Sequence, residues 1–207
     1  MLQVLPATSA DVPRIARIFY DSFARTTIYL TIFADVTPED QIACNELRLY
    51  KEVEDPTRQV LKALVGDEIV AFAVWSIPHE KIAQPEVDQA TKEEQERQRF
   101  PKGTNLELAR RFFAQGRLGV EGLHYHLNLL GTDPRSQRTG AATALLRWTH
   151  ERADKDGFDC YLKASPEGLS VYRRAQYEPF KDPIISPDDL SIVLYPMRRR
   201  PQSQAAA

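Results

Sequence analysis

The sequence predicts an α/β layered fold built on a mixed sheet. Residues 60–65 and 69–76 are rich in β-branched and aromatic side chains and flank Gly66-Asp67, which indicates an antiparallel hairpin. A short apolar strand at 127–132 precedes a helix at 139–156 whose apolar residues recur every three or four positions. Strand and helix patterns thus alternate along the chain, as layered α/β folds require.

The N-terminal part predicts a strand at 2–5 and then a helix that begins near Thr8 and Asp11, with Pro13 in its first turn. An apolar stripe on this helix needs a sheet to cover it. The stripe consists of Val12, Ile15, Ala16, Phe19 and Phe23. A second helix is indicated by Thr37-Pro38-Glu39-Asp40, inside a mixed segment, residues 26–53, that is typical of substrate-facing loops or of a packed helical hairpin.

The remaining elements predict one domain over residues 1–197. Residues 79–116 are rich in Glu, Lys, Arg and Gln, which indicates a charged helical insertion with an exposed helix at 92–97 and a packed helix bearing Leu108, Phe112 and Phe113. Gly157 ends the long helix, and a strand at 161–164, a helix at 167–174 and a strand at 191–194 follow. Residues 198–207, which begin with three arginines, are expected to form a flexible, solvated tail.

Composition excludes several classes of partner. A formal net charge of -2 and no basic cluster argue against nucleic acid binding. The two cysteines, Cys44 and Cys160, lie in apolar surroundings without metal-ligand spacing, so we expect buried free thiols and no metal. No leader-like start and no apolar run of about 18 residues occur, so we expect a cytoplasmic protein without membrane contact.

The six residues from Gln137 to Ala142, QRTGAA, lie between the predicted strand and helix. Small side chains there let an anion approach the free amides of a first helical turn. The spacing matches neither the mononucleotide pattern G-x-x-x-x-G-K-[ST] nor the dinucleotide pattern G-x-G-x-x-G. Taken alone, the hexamer favours the simpler interpretation, one glycine that eases a strand-to-helix turn.

Three motifs resemble those of the GNAT superfamily of N-acetyltransferases. QRTGAA matches its pyrophosphate loop [QR]-x-x-G-x-[GA], and residues 127–134 match its L-x-x-L-x-V-x-P lead-in with Thr132 in the valine position. SPEGLSVYRRAQY, residues 165–177, is similar to its N-x-x-A-x-x-L-Y-x-x-x-G-F segment. The resemblance implies a mixed, mainly antiparallel sheet flanked by helices on both faces, and acetyl-CoA as co-substrate without a metal.

The resemblance also implies which residues contact coenzyme A. Backbone amides of the loop would bind the pyrophosphate, and the end of the strand would bond the pantetheine arm. The implied contacts are Leu130, Gly131, Thr132, Gln137, Arg138, Thr139, Gly140, Ala141, Ala142, Thr143, Ser165 and Tyr172. Ser165 replaces the family's asparagine, which weakens any bond from that position.

Tyr172 falls on the family's tyrosine, which would protonate the departing thiolate. A phenol with a pKa of about 10 is a suitable acid for a thiol with a pKa of about 8.5. The alternative is a packed aromatic side chain. Gln176-Tyr177 replaces the family's Gly-Phe, so a left-handed turn there would strain Gln176 by about 1 kcal/mol unless the turn is reshaped.

His126 and Asn128 are the candidates for removing a proton from the amine. His124, His126 and Asn128 alternate on one strand and so share one face. This pattern resembles the arylalkylamine branch of the superfamily, in which strand histidines relay protons through water. An imidazole with a pKa of about 6.5 suits that task. Two surface histidines without a catalytic role would produce the same pattern.

The combined prediction is an acetyl-CoA-dependent N-acetyltransferase that acts on a small-molecule primary amine by direct attack, without an acyl-enzyme. Tyr29, Phe33 and Trp75 could line the acceptor pocket. One alternative is a protein lysine or N-terminal acceptor docked on the charged insertion. Another is a GNAT-like domain that binds coenzyme A without catalysis. The sequence identifies neither the acceptor nor the oligomeric state.

Overall fold

A computed structural model describes residues 1–80, 88, 99–114, 118–185 and 192–202 of the 207-residue chain, without the side chains of 111–114. Most of the predicted insertion, including the helix at 92–97 and the side chains of Phe112 and Phe113, lies outside the described residues. Within the described ranges, no helix is long and apolar enough to span a bilayer.

Strands and helices alternate as predicted. The strands are β1 (Leu2–Pro6), β2 (Arg58–Val65), β3 (Glu68–Ser76), β4 (Tyr125–Thr132), β5 (Cys160–Ala164), β6 (Glu178–Pro179), β7 (Ile184–Ile185) and β8 (Val193–Arg199). The helices are α1 (Val12–Phe23), α2 (Thr27–Ile32), α3 (Pro38–Glu54), α4 (Leu106–Ala114), α5 (Ala141–Asp156) and α6 (Leu169–Arg174). The two-residue strands β6 and β7 lie in a proline-punctuated loop that carried no strand signal.

Among the described residues the sheet runs β1-β2-β3-β4-β5-β8-β6, with β7 paired to β8. Every described pairing is antiparallel except that of β4 with β5, which is parallel. Helix α5 packs in the apolar cluster on one face, whereas α1 and α3 pack with β2 and β3 in the cluster on the other. The predicted layered, mainly antiparallel fold is thereby confirmed.

Helix boundaries follow the predicted signals, except that α5 and α6 each begin two residues later than predicted. The Asp11 carboxylate accepts from the Thr8 backbone N–H at 2.8 Å, ahead of α1, and Thr37 caps α3. Helix α5 begins at Ala141, two residues later than predicted. Gly140 is its N-cap and has φ +90°. This left-handed conformation is not that of an α-helix, so the helix begins only after Gly140.

The last strand includes the first two residues of the predicted flexible tail, of which residues 203–207 lie outside the described residues. Strand β8 extends through Arg199, and Arg198 and Arg199 pair with β5. Arg199 is buried and forms a two-bond ion pair with Asp154 at 2.6 and 2.8 Å, while Arg198 pairs with Asp159 at 2.5 Å. Sequence reasoning missed this because the neutralising carboxylates lie about 40 residues away, on and just after α5.

The turn after α6 keeps the left-handed backbone despite its altered sequence. Gln176 has φ +67°, so the strain anticipated for a side chain at this position is present and the turn is not reshaped. Tyr177 is buried, and its hydroxyl lies 3.0 Å from Nε2 of His150, a contact that phenylalanine could not make. The turn therefore keeps its backbone while it gains a buried polar contact.

Replacing Gln176 with glycine should stabilise the fold by about 1 kcal/mol, because glycine adopts φ +67° without a Cβ clash. Thermal unfolding should show a rise in Tm of about 2–4 °C. The matched control is Gln137→Gly, because Gln137 is also exposed but has φ -65°. The control should lose stability, and a loss in both variants would show that Gln176 is unstrained.

Candidate functional site

Strands β4 and β5 separate soon after they begin. They pair only at Tyr125 with Cys160 and at His126 with Tyr161, and the rest of β4 diverges from β5. The cause lies on the other edge of β4, where the register with β3 shifts between Val74 and Trp75. This β-bulge bends β4 and leaves a cleft between two neighbouring strands of one sheet.

Asn128 is the extra residue of this bulge, since Leu127 and Leu129 face Trp75 and Val74 and Asn128 has no partner in the register. With its amide oxygen oriented toward donors, Asn128 accepts hydrogen bonds from the Ser76 backbone N–H at 3.0 Å and from Nη1 of Arg58 at 3.2 Å. These bonds anchor the bulge, a structural role that sequence reasoning did not foresee.

The cleft has a volume of about 470 Å³ and collects five of the predicted site residues. They are His126, Asn128, Leu130, Ser165 and Tyr172. Gly131 and Thr132 are not among the described lining residues. A Cβ on Gly131 would lie 2.4 Å from the Phe72 ring and 3.1 Å from Oγ of Ser22, so this glycine allows α1 to pack closely on β4.

The predicted aromatic lining is confirmed only in part. Tyr29 lines the cleft, and Phe33 lines a small adjoining cavity of about 30 Å³. Trp75 is fully buried in the other layer, with its ring centroid 6.2 Å from that of His150. The alternation of β3 turns Trp75 toward α5, away from the layer of α1 and α3.

The predicted pyrophosphate loop lies beyond the end of β4 and leads into α5. Residues 137–140 are exposed, and two of them, Arg138 and Gly140, have left-handed backbones with φ +64° and φ +90°. A Cβ on Gly140 would meet no atom within 4 Å. Gly140 therefore faces open space at the N-terminus of α5, where a helix has free amides and the positive end of its dipole.

Asp133 anchors the start of this loop, and sequence reasoning did not identify it. Its buried carboxylate accepts hydrogen bonds from Nη2 of Arg14 at 2.7 Å, from Nη2 of Arg135 at 2.9 Å and from the Arg135 backbone N–H at 3.0 Å. The Arg135 hydrogen bonds hold the pKa of Asp133 well below its usual range. The Asp133-Pro134 pair is a turn signal that the sequence shows. Nothing near Arg14 in the sequence indicates its contact with Asp133.

His126 is held in its neutral form. Burial, followed by the positive charge of Lys163, lowers the pKa of His126 to about 4, below the value of about 6.5 on which the sequence argument relied. The imidazole is therefore uncharged at neutral pH but is a weak base. His124 lies outside the described lining of the cleft; its Nδ1 is 2.8 Å from the Gly122 carbonyl oxygen.

Tyr172 lines the cleft from α6, and burial raises its pKa above the ordinary value. Its phenol thus stays protonated at neutral pH, although the raised pKa makes it a weaker acid than the ordinary phenol on which the sequence argument relied. The ring packs over Gly168, where a Cβ would lie 2.9 Å from Cε2 of Tyr172. Ser165 Oγ accepts from the Gly168 backbone N–H at 3.4 Å, within the same turn.

Cys160 is buried at the start of β5, and burial raises its pKa to about 12. A thiol with that pKa supplies no thiolate at neutral pH. Among the described residues, no group of three potential metal ligands lies close together.

Solved structures show which fold this is, although no family model and no curated protein matches the sequence. The histone acetyltransferase HPA2 and related acetyltransferase from Corynebacterium glutamicum is 24% identical, with a TM-score of 0.67 and coverage of 99% of each chain. A protein assigned as arylalkylamine N-acetyltransferase 7 of the mosquito Aedes aegypti is 13% identical, with a TM-score of 0.65, over 97% of this chain and 88% of its own.

A third similar structure is the PaiA N-acetyltransferase of Thermoplasma acidophilum in complex with coenzyme A. It is 15% identical with a TM-score of 0.58, and the match covers 97% of this chain and 99% of the other. The described residues thus form a mixed-sheet α/β fold with a cleft between the neighbouring parallel strands β4 and β5. This fold is that of the GNAT acetyltransferases.

Replacing Asp133 with asparagine should lower the free energy of unfolding by about 2 kcal/mol at pH 7, because two guanidinium groups lose their carboxylate. Urea unfolding measures the loss. The pKa of Asp133 is lower in the folded state than in the unfolded state. Its carboxylate therefore stabilises the fold fully at a pH above the unfolded pKa, about 3.9. This stabilisation disappears as the pH falls through the folded pKa.

The difference between wild type and Asp133→Asn should therefore shrink as the pH falls below about 4. The control is Asp21→Asn, which removes a carboxylate from a largely exposed pair with Arg17 on α1 and should cost less than about 1 kcal/mol. Equal losses in the two variants would contradict the anchoring role.

Proposed function

We propose that this protein transfers an acetyl group from acetyl-CoA to a primary amine by direct attack of the amine on the thioester. One observation carries the proposal: β4 and β5 diverge beside a loop with two left-handed residues at the start of α5. An extended thiol-bearing arm fits between diverging strands, and a helix N-terminus suits a pyrophosphate.

In this proposal the loop amides from Arg138 to Thr143 bind the pyrophosphate. The side chains of residues 137–139 lie at the rim of this binding site. Their exposure and the open space above Gly140 leave room for the phosphates. The free backbone edge of β4 near Leu130 offers hydrogen bonds to the pantetheine amides, as β-strand addition does for peptides. Thr132 holds that end of β4 against α1, because its carbonyl oxygen accepts a hydrogen bond from Oγ of Ser22 at 3.0 Å, while Gly131 leaves room for the Phe72 ring.

The chemistry needs a neutral amine, a proton acceptor and a proton donor. The amine nitrogen forms a bond to the carbonyl carbon of the thioester, and the carbon–sulfur bond then breaks. Tyr172 donates its proton to the departing thiolate. Neutral His126 can accept a hydrogen bond from the amine or a water, so that the amine proton leaves through solvent, with Asn128 fixing the strand. The high pKa of Cys160 fits a route without an acyl-enzyme.

The acceptor proposed is a small-molecule amine. Tyr29, Phe23 and Ile28 line the cleft and offer apolar surface to the body of such a molecule. A cleft of about 470 Å³ falls within the range of small-ligand sites, about 300–1,000 Å³.

Coenzyme A at 100 times its Kd should stabilise the protein by about 2.7 kcal/mol and raise Tm by about 5 °C or more. Gly140→Glu should abolish the rise, because it places bulk and negative charge where the pyrophosphate binds. Gly157→Glu is the matched control, since Gly157 is also left-handed, at φ +73°, but caps the opposite end of α5. An unchanged Tm with coenzyme A, or equal loss in both variants, would refute the binding site.

Tyr172→Phe should lower kcat for thiol release by about 100-fold, because it removes the proton donor while the ring keeps its packing. Release of free coenzyme A from acetyl-CoA in the presence of amine measures the rate. Tyr20→Phe, on α1 and outside the described lining of the cleft, should leave kcat unchanged. Full activity of Tyr172→Phe would remove the role of Tyr172 as acid.

A further inference from the structure

The acceptor side of the cleft carries an excess of positive charge. Its described lining residues include two arginines, Arg48 from α3 and Arg99, together with Lys163 of β5. Among the described lining residues, Glu167 alone has a carboxylate, and it follows β5 in the chain. A polyamine or other multiply charged cation would therefore meet repulsion in this cleft.

Arg48 is only partly neutralised by its own surroundings. Its Nε lies 3.7 Å from Glu52, but the same carboxylate is closer to Arg58, at 3.2 Å. The guanidinium of Arg48 lies 5.8 Å from the Phe19 ring centroid, which fixes its stem while about a third of the side chain remains exposed. Arg58 also pairs with Asp55, at 3.7 Å, so what distinguishes Arg48 is that its own ion pair with Glu52 is long and therefore weak.

The two arginines are well separated from the phosphate loop by the sheet itself. Arg48 belongs to the α1 and α3 layer, whereas the loop leads into α5 on the opposite face. A coenzyme bound at that loop would reach the cleft from the α5 side. The arginines consequently face whatever enters from the other side, which is the acceptor.

From this arrangement we propose that the acceptor is a primary amine that also carries a carboxylate, bound by Arg48 with Arg99 beside it. The inference rests on the proposed acetyl transfer and narrows its substrate class. The planar guanidinium of Arg48 matches a carboxylate with two hydrogen bonds. Tyr29 and Phe23, which also line the cleft, are placed to contact an apolar body between the amine and the carboxylate.

The test compares three acceptors that share an arylalkyl body: phenethylamine, phenylalanine and para-(aminoethyl)benzoate. The first has no carboxylate, the second has one beside the amine and the third has one at the far end. Coenzyme A release should show that kcat/KM for at least one carboxylated amine exceeds that for phenethylamine by about tenfold or more. Arg48→Gln should bring this ratio close to one, mainly by raising KM for the carboxylated acceptor.

The matched control is Arg17→Gln, which removes an exposed arginine of α1 paired with Asp21 and should leave the ratio unchanged. Equal or faster turnover of phenethylamine, or a ratio that survives in Arg48→Gln, would overturn the inference while acetyl transfer stands. Coenzyme A binding without turnover of any of the three amines would also count against it. If coenzyme A failed to raise Tm, the proposed function itself would fail.

Discussion

The divergence of β4 from β5 is the feature on which the rest of the site depends. Two neighbouring parallel strands normally satisfy each other's backbone groups along their whole length. Here the bulge at Asn128 ends that pairing after His126 and opens a cleft through the sheet. Ser76 and Arg58 hold the Asn128 amide, so the cleft is maintained by hydrogen bonds from β2 and β3, outside the cleft's own lining.

The two faces of the sheet carry different electrostatic roles. On the α5 side, the anion site that we propose consists of backbone amides and a helix N-terminus, and Asp133 fixes the loop through Arg14 and Arg135. On the α1 and α3 side, the charges come from side chains, above all Arg48. Between the faces, burial keeps His126 neutral and Tyr172 protonated, so the two residues proposed to act in proton transfer have defined protonation states.

Sequence reasoning recovered what local patterns encode. The β2–β3 hairpin, the caps of α1 and α3, and the loop before α5 all follow from turn residues and periodicity close in the chain. The pairing of Arg199 with Asp154, the burial of Trp75 toward α5 and the approach of Arg14 to Asp133 could not be predicted in this way. Each depends on residues brought together by the sheet from about 40 to more than 100 positions apart.

The same distinction separates His126 from Gly140. The left-handed backbone at Gly140 follows from a glycine before a helix. The lowered pKa of His126 depends on burial and on Lys163 from β5, so an isolated strand pattern suggested an ordinary imidazole. Asn128 was likewise predicted to be catalytic because it alternates with His126 along one strand. Its position in the bulge depends instead on the register of β4 with β3.

The most direct test of this account is a crystal structure of the protein with coenzyme A. We expect the pyrophosphate within hydrogen-bonding distance of the amides of residues 138–143, the pantetheine between β4 and β5, and the sulfur beside the Tyr172 hydroxyl. Coenzyme A bound elsewhere, with the space between β4 and β5 left empty, would contradict the account.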